Sequence, residues 1–119
     1  TILSRVTKPT TVIGFSAGGA AAWRSQATVK NSQIKRLVAF YPNQVRHYLD
    51  LSASVACEFI FAKQEVHFDI LPVLACLEQQ IKVQCQRADY GHGFMNPLSK
   101  GFDSFGYQQY SQYLLTENN

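Results

Sequence analysis

Gly14-Phe15-Ser16-Ala17-Gly18-Gly19 follows directly on the apolar pair Val12-Ile13. A serine flanked by glycines therefore sits where a buried strand would turn into a small-residue helix. A serine hydroxyl is a weak nucleophile until a sharp turn lifts it clear of the sheet and a neighbouring base takes its proton. Gly14 and Gly18 are expected to make room for that turn. Farther along, Glu65 and His92 each fall shortly after a predicted strand, so nucleophile, acid and histidine follow in that order. His92 would accept the Ser16 proton and return it to a leaving group. Glu65 would fix the imidazole tautomer and stabilise its charged form, and the Ala17 N–H would face a developing oxyanion. Asp69 is an alternative acid about one helical turn beyond Glu65. The plainer reading of Ser16 is a glycine-rich turn used for packing or anion binding, and the strand-turn-helix context favours the nucleophile.

Such a site needs strand ends to carry it. Ile2, Leu3 and Val6 read as the end of a helix closed by Pro9, and Val12 to Phe15 as a strand running into the turn. Ala17 to about Val29 is rich in alanine and reads as the helix that follows. Leu37-Val38-Ala39-Phe40-Tyr41, stopped by Pro42, and Val55 to Ala62 are continuous apolar runs, as expected of strands covered on both faces. Between them, residues 44–51 fit a short helix or an ordered loop equally well. Phe68 to Ile81 has helical spacing with Pro72 in its first turns, and Val83 to Arg87 alternates like a strand with one wetter face. Phe102 to Leu115 closes the chain as a helix, with Phe102, Phe105, Tyr110, Tyr113 and Leu114 on one apolar stripe that reads as core and with Gly106 as a weak point. Alternating strands and helices predict an α/β fold: a parallel sheet of about four strands flanked by helices, in a single domain over 1–119.

Composition narrows the function classes. At 119 residues and 46% hydrophobic, the chain has material for one core. Its formal charge of +3 comes from scattered lysines and arginines, which argues against nucleic acid as a partner. No apolar stretch reaches the length of a membrane helix and no signal-peptide pattern opens the chain, so no membrane partner is expected. The three cysteines, Cys57, Cys76 and Cys85, are odd in number and lie among apolar or alternating residues. They read as reduced packing thiols, which points to the cytoplasm. Glu65, His67 and Asp69 alternate as a metal-binding run would, but short surface clusters of this kind are common, and neither a metal nor a cofactor is expected. His47 reads as a loop residue.

The glycine-flanked Ser16 segment, Phe40-Tyr41-Pro42, Ala62-Lys63-Gln64-Glu65 and Tyr90-Gly91-His92-Gly93-Phe94 together resemble the α/β-hydrolase superfamily, most closely its dienelactone hydrolase-like family. The likeness runs over nearly the whole chain and covers the second half of such a fold. It implies a serine hydrolase acting on an ester, thioester or related small acyl substrate through an acyl-enzyme on Ser16, with Glu65 where the family's acid is typically Asp. Dienelactone hydrolases proper use cysteine as nucleophile, so Ser16 resembles their esterase and peptidase relatives. Asn96 stands where those enzymes carry an arginine for a substrate carboxylate, which argues against an anionic lactone. The elbow and histidine loop also resemble prolyl-oligopeptidase-type peptidases, which carry an N-terminal propeller. In the resemblance, segments preceding Thr1 supply the second oxyanion donor and flank the first strand. Without them the fold would be a non-catalytic remnant or binding scaffold, and its open strand edge would favour self-association.

Overall fold

Three apolar runs and one alternating segment become the strands β1 (Thr10–Phe15), β2 (Ile34–Phe40), β3 (Ala56–Phe61) and β4 (Val83–Arg87), and three helices connect or follow them: α1 (Ala17–Thr28), α2 (Ile70–Leu77) and α3 (Ser104–Glu117). The computed structural model describes residues 2–117. The strands form one four-stranded parallel sheet in the order β1-β2-β3-β4. Each strand lies beside its predecessor in sequence, so every strand end that could carry a site residue opens on the same rim.

Alternation along the strands splits the core in two. Leu37, Ala39, Cys57, Phe59, Phe61 and Val83 point to one face, where Trp23 of α1 and Ile70, Val73 and Leu77 of α2 cover them. Val38, Phe40 and Ile60 point to the other, under Tyr110 of α3 and Phe94 and Met95 of the loop after β4. Most of these side chains are fully buried, and burying a large apolar side chain contributes roughly 1.5–3 kcal/mol. On that second face Arg36 and Tyr113 both donate to the Glu58 carboxylate, tying α3 to the middle of the sheet. Burial disfavours the Arg36 charge, but the hydrogen bond and attraction of Glu58 outweigh it and hold the guanidinium above its ordinary value.

Several elements differ from the sequence expectation. The N-terminal helix end is a single 3-10 turn, Leu3–Arg5, and another 3-10 turn, Asn43–His47, occupies the undecided stretch. β2 begins at Ile34, and Tyr41 lies beyond its end. α2 stops at Leu77 instead of reaching Ile81, which is fully exposed. The Gln80 side chain explains the early stop: it accepts from Ala53 N–H at 2.8 Å and donates to Leu51 C=O at 2.9 Å, drawing the chain toward β3. α3 starts at Ser104, where Asp103 Oδ1 accepts the Gly106 N–H at 3.0 Å. The expected stripe fails at its start, because Phe105 is 77% exposed and Phe102 lies outside the helix. Gly106 takes the inward position, where an added Cβ would lie 2.8 Å from the Tyr90 ring.

Candidate active site

Ser16 ends β1 and begins α1, and its backbone is unusual. With φ 54° and ψ −122° it is one of two described non-glycine residues at positive φ, the other being Tyr41. Such conformations cost on the order of 1–3 kcal/mol and persist only where neighbours hold them. Here the Ser16 N–H donates to Phe40 C=O at 2.9 Å, and the Ser16 carbonyl accepts the N–H groups of Gly19 and Ala20 at 3.0 and 3.3 Å. The turn needs Gly14, because a Cβ there would lie 2.6 Å from the Gly18 carbonyl oxygen and 2.7 Å from Gly19 Cα. Gly18, expected to share that role, faces open space and makes no comparable close approach.

A serine before a helix ordinarily caps it. Ser16 makes no such side-chain cap, and its Oγ instead lies 2.9 Å from Nε2 of His92. His92 follows β4, on a loop whose next residue, Gly93, sits at φ 88° with the Ser99 side chain in the space a Cβ would need. The other imidazole nitrogen, Nδ1, lies 2.8 Å from Glu65 Oε2, on the loop after β3. A carboxylate only accepts, so Nδ1 carries the proton of the neutral ring and Nε2 is left to accept from the serine hydroxyl. The Glu65 side chain is 7% exposed and that of His92 is 35% exposed. The carboxylate is thus held against the ring in a nearly dry setting, while the ring reaches solvent. A hydroxyl in this chain of contacts can give its proton to the imidazole as it attacks.

The Ala17 N–H opens α1, and among the described residues no hydrogen bond occupies it. Asp69, the alternative acid, is not brought to His92. Its Oδ1 accepts the Leu71 N–H at 3.1 Å as the N-cap of α2. Among the described residues, no group of three or more His, Cys, Asp or Glu side chains is placed to hold a metal. The described cysteines are free thiols, and burial pushes Cys57 and Cys85 up to about 12, with Lys82 opposing at Cys57 and Glu78 adding at Cys85. Cys57 and Cys85 pack in the core cluster between the sheet and the helices α1 and α2. Among the described residues no helix is long and apolar enough to cross a membrane.

Tyr41 is the site residue that sequence reasoning left as a strand end. Its ring centroid lies 4.8 Å from that of His92 and 5.4 Å from that of Phe94. Its strained backbone is fixed on both sides: the N–H donates to Ile60 C=O at 2.6 Å, and the carbonyl accepts the Asn43 N–H at 2.8 Å across Pro42. With φ −82° and ψ 69°, Pro42 makes an inverse γ-turn. Burial raises the Tyr41 hydroxyl above its ordinary value, partly opposed by a hydrogen bond with the Met95 backbone. The available signal was an aromatic residue before proline at the rim where the other strand ends also open. A cleft of about 480 Å³ opens over Ser16, His92 and Tyr41.

No protein-family model matches the chain, and no curated protein matches it.

Proposed function

We propose that the chain is a serine hydrolase of the dienelactone hydrolase-like group, forming the C-terminal half of an α/β-hydrolase fold and acting on a small ester, thioester or related acyl substrate. Ser16 Oγ attacks the carbonyl carbon while its proton passes to His92 Nε2, and the resulting imidazolium is stabilised by Glu65. The carbonyl oxygen, now negative, accepts from the Ala17 N–H. Collapse breaks the bond to the alkoxide or thiolate, which takes the proton from His92, and leaves the acyl group on Ser16. Water then attacks the acyl-enzyme by the same route in reverse, releasing the acid and restoring the serine.

One observation carries this reading: the Ser16 hydroxyl forgoes its cap and lies 2.9 Å from an imidazole contributed by a different strand end. The four-stranded parallel sheet in sequential order supports the fold assignment. Each oxyanion donor is worth about 2.7–4 kcal/mol of transition-state stabilisation, so turnover rests heavily on what joins Ala17 there. Rapid mixing with p-nitrophenyl acetate tests the mechanism. The expected result is a burst of nitrophenol equal to the enzyme present, followed by slower turnover, and its loss in Ser16→Ala. A folded chain with neither burst nor turnover would favour the binding scaffold.

A further inference from the structure

The cleft over Ser16 is built from two sources. The strand ends supply Phe15 and Tyr41, and the loop after His92 supplies Met95 and Pro97 as its apolar wall. Its remaining polar side chains, Asn96 and Ser99, are neutral, so among the described residues His92 is the only titratable side chain other than Tyr41 on this lining. The carboxylate nearest to the imidazole, Glu65, already accepts from it. A substrate carboxylate or phosphate would therefore enter without a cation on this lining to offset its partial desolvation.

Phe15 gives the cleft a more specific shape. Its ring lies nearly parallel to that of Phe40, with centroids 5.2 Å apart and an interplanar angle of 13°. Phe40 is fully buried and covers one face of the Phe15 ring, yet Phe15 remains 44% exposed. Phe15 also lines the cleft beside the nucleophile that follows it in sequence, with the Tyr41 ring tilted 47° to it at 6.3 Å. Aromatic rings favour offset-stacked or edge-to-face contact with such a ring.

We infer that the acyl group taken by Ser16 is uncharged and carries an aromatic ring, packed against Phe15 with Met95 and Pro97 as the other apolar wall of the cleft. The inference rests on Ser16 acting as the nucleophile. The acyl side is assigned because Phe15 adjoins the serine that becomes acylated, whereas the leaving group departs beside His92, which protonates it.

The test compares trifluoroethyl esters of phenylacetic, hexanoic and succinic acids, the last as its anionic half-ester, so that the leaving group is small and not aromatic. Values of kcat/KM are corrected for each ester's reaction with hydroxide. Phenylacetyl is expected to exceed hexanoyl by about two- to tenfold, the range a stacked ring pair supplies, and to exceed succinyl by at least about tenfold. Phe15→Leu is expected to bring the phenylacetyl-to-hexanoyl ratio to about one. Turnover of hexanoyl without a phenylacetyl preference, or of succinyl at an equal rate, would overturn the inference while leaving the hydrolase reading intact. No turnover of any ester, together with no acyl adduct on Ser16, would overturn both.

Discussion

Removing the Glu65 carboxylate should weaken catalysis by an amount the geometry sets. Its Oε2 lies 2.8 Å from His92 Nδ1, and the charge centres of such a pair are about 4 Å apart. At that separation the attraction is worth about 4 kcal/mol at an effective dielectric of about 20 and about 1 kcal/mol in bulk water. Glu65 is 7% exposed and His92 35% exposed, so the pair falls between these limits, nearer the first. Each 1.36 kcal/mol or so is tenfold in rate, and Glu65→Ala is expected to lower kcat on p-nitrophenyl acetate by about 10²–10³, including the lost hold on the tautomer. Asp69→Ala is the matched comparison. It removes only the α2 cap, so stability should fall by about 1 kcal/mol with kcat within about twofold of the parent. Initial rates on samples with unchanged circular dichroism decide the matter. A Glu65→Ala enzyme within about threefold of the parent, or an Asp69→Ala enzyme as impaired as Glu65→Ala, would show that Glu65 is not the residue that supports His92.

The glycines around Ser16 should behave oppositely. Gly14→Ala places a methyl group against the backbone of α1 and should cost about 1–3 kcal/mol, while Gly18→Ala, in open space on a helix, should stabilise by roughly 0.5 kcal/mol. Urea melts measure both, and a neutral Gly14→Ala would contradict the turn's close packing. Stability should also fall with alkali. Burial keeps Cys57 and Cys85 protonated up to about 12, whereas unfolded thiols ionise near about 8.5. Above that pH the unfolded chain binds fewer protons than the folded one, so the contribution is complete below about pH 8.5 and is lost as pH rises toward about 12. A urea midpoint that climbs over this window would contradict it. Among the described residues β1 pairs only with β2, and its Ile13 is 40% exposed. Open edges of this kind recruit further strands, so sedimentation should show mass rising with concentration and Ile13→Lys should suppress the rise. A strictly monomeric parent chain at high concentration would count against this.

The sheet was legible because short apolar runs rich in β-branched and aromatic residues and stopped by a breaker, such as Leu37 to Tyr41 before Pro42, suit a strand covered on both faces better than a helix. The meeting of Ser16, Glu65 and His92 was legible for a related reason: each follows a segment with strand patterning, and parallel strands in order deliver their ends to one rim. Where reasoning failed, a single distant contact had decided the outcome. The Gln80 amide, bound to the chain near residues 51–53, ended α2 before its apolar spacing did. The Tyr90 ring claimed the space over Gly106, which set the inward face of α3 and turned Phe105 to solvent. Spacing also could not separate Glu65 from Asp69, since a carboxylate suited to a histidine is equally suited to a helix cap. Tyr41 stayed hidden because its role depends on a positive φ, which an aromatic residue does not announce.

Peptide mapping after exposure to a fluorophosphonate tests most directly whether the residue-16 hydroxyl is the nucleophile. One adduct is expected, on Ser16, and it should disappear in His92→Ala. A folded chain that stays unmodified, or an adduct undiminished in His92→Ala, would contradict that role for Ser16.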